Sequence, residues 1–265
     1  MADAAFVANP RLTPPHRFGR VIVVGGGCYG SYYVRQLRRA VAAGALQCAG
    51  VVVVDRDAGC RVAAERPAGD PLVRVELAEW RGYFARYLGA AARDPSAADD
   101  AIVPSPLMPH LLRDWLLDAA RARWPEREVR VAPLPVPPDV PWERAAPDGT
   151  HYVSFATWMC PINCIEPAVC PHTRGPRDWS MGPALRAYAT RAGQGTVPPI
   201  LFACTHRAYG VGMVDVRDVL AANAAIAAAG AAGAPVDVLV GTVSHCHGAV
   251  SRVVAAPPSA IAGAG

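Results

Sequence analysis

Short unbroken apolar runs alternate along the chain with longer stretches whose apolar residues recur at helical spacing. Runs such as Val21-Ile22-Val23-Val24 and Val51-Val52-Val53-Val54 contain no polar position, the mark of strands covered on both faces. Strands are expected over 20–24, 51–55, 72–77, 101–104, 129–132, 151–158, 200–204 and 236–243. Helices are expected over 28–43, 79–92, 110–123, 183–191 and 216–229. Strand and helix in alternation predict an α/β fold with a doubly wound, mainly parallel sheet and an elaborated, cysteine-rich C-terminal half.

Composition fits that picture. The chain has 265 residues, 52% hydrophobic but only 7% aromatic, so its apolar mass is largely Ala and Val, as in helices packed tightly on sheets. Residues 1–19 read as an irregular lead-in, 20–134 as a first domain, 135–150 as a proline-rich linker, 151–256 as a second α/β half and 257–265 as a disordered tail. The net charge of +4 is spread out, with no arginine block interleaved with aromatics, so a nucleic-acid partner is not expected. All 26 basic residues are Arg, which removes Schiff-base and phosphate-loop lysine chemistry. The most apolar stretch, 218–237, is interrupted by Asn223, Gly230, Gly233 and Pro235, so no membrane partner is expected. Asp3 and the lack of a long apolar run before Arg11 argue against a signal peptide, and the cytoplasm is the expected compartment. In a reducing compartment the eight cysteines read as thiols, metal ligands or redox groups.

Three features carry candidate chemistry. The first is Gly25-Gly26-Gly27-Cys28-Tyr29-Gly30, a strand running into a glycine turn and then a helix, with G-x-G-x-x-G spacing at Gly25, Gly27 and Gly30. Backbone N–H groups and the helix dipole there suit a pyrophosphate. The second strand ends in Asp55, placed to meet ribose hydroxyls and favour NAD; Arg56 follows and keeps NADP open. With the stretch Ala101-Ile102-Val103-Pro104-Ser105-Pro106, these residues resemble the Rossmann-fold NAD(P)-binding superfamily over 20–134. The resemblance implies that Pro104 and Ser105 line the dinucleotide. A methyltransferase-like site for S-adenosylmethionine uses the same glycine turn and remains an alternative.

The second feature is Cys160-x3-Cys164-x5-Cys170, with proline after the first and third thiols. Such a loop suits three ligands to an iron–sulfur cluster or, with His172, a zinc site; free thiols beside a stiff turn are the plain alternative. The third feature is a pair of strand ends, Cys204-Thr205-His206 and Ser244-His245-Cys246-His247, where residues two apart share a face. His206, His245 and His247 are the candidate catalytic residues, with Glu166 and His172 weaker candidates because they sit in the loop. The expectation is an NAD- or NADP-dependent oxidoreductase acting on a small-molecule substrate, with a homo-oligomer left open. A non-catalytic, redox- or metal-sensing nucleotide-binding protein is the alternative.

Overall fold

A computed structural model describes residues 15–162, 164–193 and 195–258. Most of the expected lead-in and tail therefore lie outside the described residues. The first strand, β1 (His16–Val24), starts earlier than expected and runs beside β2 (Leu46–Asp55). Between them the chain forms α1 (Cys28–Ala42). It continues through α2 (Arg61–Glu65), β3 (Val73–Leu77), α3 (Trp80–Ala91), β4 (Ala101–Val103) and α4 (Leu111–Arg123). A second run then supplies β5 (Val129–Ala132), β6 (Trp142–Ala145), β7 (His151–Ser154), α5 (Met181–Arg191) and β8 (Ile200–Ala203). The last elements are β9 (Thr205–His206), β10 (Gly212–Asp215), α6 (Val216–Ala229), β11 (Val236–Val243) and β12 (His247–Ala255).

One mainly parallel sheet was expected; the strands instead build two mixed sheets. The first has the order β3-β2-β1-β4-β10-β9, parallel from β3 to β4 and antiparallel from β4 onward. The second has the order β6-β7-β12-β11-β8, with β5 also pairing β12; only β11 and β8 run parallel. The reason is β12, unread in the sequence, which folds straight back on β11 through the turn at Ser244–Cys246 and draws β5 and β7 onto its free edge. The sheets also interleave along the chain. β5 and β6, from the expected first domain and linker, join the second sheet, whereas β9 and β10 return to the first.

The apolar runs explain the layering. Ile22, Val24, Val52 and Val54 point to one face of the first sheet, and Val21, Val23, Val51 and Val53 to the other. The first set enters a core shared with the second sheet through Val236, Val238, Val240 and Val253. Helices α3, α4 and α6 fill the space between, with Phe84, Leu88, Leu116 and Ile226 almost fully buried. On the outer faces α1 covers the first sheet through Val34, Leu37 and Ala40, and α5 covers the second through Met181, Leu185 and Tyr188. Arg113 of α4, buried, spans the layers by donating to Ser251 Oγ of β12 at 3.0 Å and pairing with Asp148 at 2.9 Å. No helix among the described residues is long and apolar enough to cross a membrane.

Candidate functional site

The glycine turn has the tight geometry that its spacing implies. Gly25 has φ +85°, favoured by glycine, and a Cβ on Gly30 would stand 1.9 Å from the Gly25 carbonyl oxygen, so only glycine lets the helix start so close to the strand. A Cβ on Gly27 would meet nothing, and Gly27, Cys28 and Tyr29 are exposed. Asp55 closes the turn from the neighbouring strand: Oδ2 accepts the Gly26 N–H at 2.6 Å and Oδ1 the Asp57 N–H at 2.9 Å. Arg56 lies over the Trp80 ring and 3.8 Å from Glu79.

Beside this turn opens a cavity of about 460 Å³. Its walls bring together Tyr29 and Tyr33 of α1, Pro104 and Ser105 after β4, and Cys160, Cys164 and Glu166 of the long loop after β7. Cys204 and His206 enter from β8 and β9, and Cys246 and His247 from the turn into β12. Gly25, Gly26, Gly27, Cys28, Gly30, Asp55 and Arg56 are not among its lining residues, and neither are Cys170 and His245.

Glu166 is the tie among these elements. Its carboxylate accepts the Ser244 hydroxyl at 2.7 Å and the amides of His245 and Cys246 at 2.8 and 3.0 Å, and stands 3.5 Å from His206 Nδ1. Its side chain is 9% exposed and its backbone has φ +52°, a conformation costly for a non-glycine residue and kept by these contacts. Burial alone would raise its pKa; the His206 imidazole, the Ser244 hydroxyl and the His245 amide outweigh that and bring it down to about 2. A fixed negative charge therefore sits under the cavity. Burial pushes the neighbouring Cys204 thiol up to about 12, with the Glu166 charge adding to the effect.

The two strand ends are arranged differently from expectation. Cys204 Sγ and His206 Nε2 both approach the position a Gly212 Cβ would occupy, so these residues do face one side. His245 and His247 do not share a strand face, because His245 lies in the turn and β12 begins at His247. His245 contributes its backbone, donating to Glu166 and accepting from Met181 N–H at 2.9 Å. His247 is the cavity histidine: Nδ1 lies 2.9 Å from Ser154 Oγ, and burial lowers its pKa. His172 is exposed and stacks on Trp158, ring centroids 4.3 Å apart.

All eight cysteines are free thiols. Among the described residues no three His, Cys, Asp or Glu side chains are grouped to hold a metal ion. Cys160 and Cys164 share the cavity wall, whereas Cys170 is buried and does not line it, the Thr173 backbone lowering the pKa of its thiol.

Residues 112–256, just over half of the chain, match the family model AF_1314_C, described as an uncharacterized protein, C-terminal domain. The chain belongs to this family. The matched stretch carries every thiol and histidine of the cavity, and the glycine turn, Asp55 and Ser105 lie before it. No curated protein and no solved structure matches the chain.

Sequence reasoning undervalued Glu166 and passed over Cys246 as a partner of the loop. The proline-bounded segment around Glu166 and the dense Ser-His-Cys-His cluster were visible signals, but their pairing spans about 80 residues and has no local trace.

Proposed function

We propose that the chain is an oxidoreductase that uses NAD or NADP and acts on a small molecule in the cavity beside the glycine turn. One observation carries the reading: Tyr29 at the glycine turn and Pro104 and Ser105 after β4 are walls of the cavity lined by Cys204, His206 and His247. The parallel strands β3-β2-β1-β4, with the glycine turn at the end of β1 and Asp55 at the end of β2, support a Rossmann-like dinucleotide site. The antiparallel β10 departs from that pattern.

The bound dinucleotide would supply the hydride chemistry. The chain's own groups orient and protonate. Gly27, where a Cβ would meet nothing, would leave room for a pyrophosphate, and Asp55 at the end of β2 would meet ribose hydroxyls. His247 has Nδ1 occupied by Ser154, which leaves Nε2 to exchange a proton with substrate. Glu166, ionised, holds the His206 ring and the turn carrying His247.

Calorimetric titration with NADH and NADPH tests the reading, using wild type and Gly27→Val. A Cβ at Gly27 would meet no protein atom within 4 Å, and an unfolding midpoint equal to that of wild type checks that the variant is folded and that only the space for a pyrophosphate is lost. Binding by wild type and its loss in the variant is the expected result. Equal affinities, or no binding by wild type, overturn it.

A further inference from the structure

The cavity carries a charge but offers an ion no partner. Glu166 stands in its wall, and each of its carboxylate oxygens already serves two groups. Oε1 accepts the Ser244 hydroxyl at 2.7 Å and the Cys246 N–H at 3.0 Å; Oε2 accepts the His245 N–H at 2.8 Å and faces His206 Nδ1 at 3.5 Å. A carboxylate has about four lone-pair sites, so an ammonium entering the cavity finds these taken. An anion meets a fixed negative charge instead. The chain has 26 arginines, yet none is among the described residues lining the cavity. Arg177, in the same loop as Glu166, turns its guanidinium to the Pro167 carbonyl, and Arg207, next to His206, is bidentate to Asp215. A proton on His206 is compensated by Glu166, and burial lowers the pKa of His247, which keeps that ring neutral at pH 7. Recognition of a carboxylate or phosphate calls for an arginine fork or a comparable cation, which these walls do not present.

The rest of the lining is apolar and aromatic, with one donor to spare. Tyr29, Tyr33, Tyr152, Pro104 and Pro106 line the cavity together with Trp158. The Trp158 ring stacks on His172, and its indole N–H is buried with no hydrogen-bond partner. A buried donor without an acceptor is costly, and an uncharged oxygen on a ligand satisfies it without bringing charge into the cavity.

We infer that the substrate is an uncharged, largely apolar carbonyl compound or its alcohol, held by its oxygen on Trp158, rather than a carboxylate, a phosphate ester or an amine. The inference rests on the oxidoreductase reading of this cavity and names the substrate class for it. In the direction of oxidation the carbinol C–H bond breaks with its electron pair passing to the dinucleotide as hydride. The hydroxyl proton passes to His247 Nε2 as the C=O bond forms, and reduction reverses each transfer.

Three probes that share a ring and differ in charge test the inference: benzyl alcohol, benzoate and benzylammonium, titrated into the full chain at pH 7 by calorimetry. Benzyl alcohol should bind about tenfold or more tightly than either ion. Trp158→Phe, with an unfolding midpoint equal to that of wild type, should weaken benzyl alcohol about 3–10-fold. Ile162→Arg, at a partly exposed wall position, adds the cation that the cavity does not offer and should tighten benzoate about tenfold with little effect on benzyl alcohol. Benzoate or benzylammonium binding as tightly as benzyl alcohol, no saturable binding of benzyl alcohol, full benzyl alcohol affinity in folded Trp158→Phe, or benzoate affinity unchanged in Ile162→Arg overturns the inference. The titrations use the chain without dinucleotide. The cavity's charge preference therefore holds or fails separately from NADH and NADPH binding, which reports on the oxidoreductase reading.

Discussion

The carboxylate of Glu166 accepts the hydroxyl of Ser244 at 2.7 Å, which fastens the irregular cysteine loop to the turn between the two longest strands of the second sheet. Three donors converge on this acid, so truncation strands a hydroxyl and two amides together. Glu166→Ala should cost roughly 1–3 kcal/mol of stability, read as a lower denaturation midpoint at pH 7. An unchanged midpoint would show that the turn holds without it.

The same acid sets an acid-side dependence. Its folded pKa, about 2, lies below its ordinary 4.5, so the unfolded chain takes up the proton first as pH falls. The contribution is complete above about 4.5 and disappears as pH drops through 2. The stability gap between wild type and Glu166→Gln should therefore narrow steadily below about pH 4.5. A gap independent of pH down to acid unfolding would contradict this assignment.

Arg207, next to His206, is bidentate to Asp215 at 2.7 and 3.0 Å, with both side chains under 5% exposed. Removing Arg207 takes the bidentate cation from a buried carboxylate. Arg207→Met should cost about 3–5 kcal/mol, and the double change Arg207→Met with Asp215→Leu should recover much of it. Chemical denaturation of the three proteins provides the comparison; a double variant no more stable than the single one speaks against the pair as the cause.

Asp55 has two tasks, closing the glycine turn and meeting the proposed ribose. Asp55→Ala should shift preference from NADH toward NADPH, because it removes the charge that repels a 2′-phosphate. Competitive titration decides the point. A wild type already favouring NADPH strongly would assign the choice to Arg56.

Burial on both faces is written locally, and the strands and helices built on long apolar runs are readable one by one: β11 and β5 match their expected limits, and α6 does too. Pairing is not written locally. β12 escaped because its start, His247-Gly248, reads as chemistry, and its interior mixes small residues with Ser251 and Arg252, whose polarity is satisfied by Arg113 and Asp237 from elsewhere in the fold. β9 and β10 total six residues and acquire their identity only from pairing, β10 antiparallel onto β4 and β9 onto β10. Part of the cavity's lining, Cys160, Cys164, His206 and His247, followed from residue type at strand ends, whereas Asp55, Cys170 and His245, chosen in the same way, do not line it. The exclusion of His245 and the role of Glu166 depended on a turn and a loop that meet only after folding.

The placement of α6 has a consequence for synthesis. The inner face of β1 and β2 is sealed by α3, α4 and α6 together, and α6 spans 216–229, long after the strands it helps to cover. A nascent chain thus emerges with Ile22, Val52 and Ile102 incompletely covered until most of the sequence has been translated. Exposed strands of this kind are the usual substrates of holding chaperones and of self-association. Chains ending before Val216 should accumulate as aggregates rather than as a soluble N-terminal lobe.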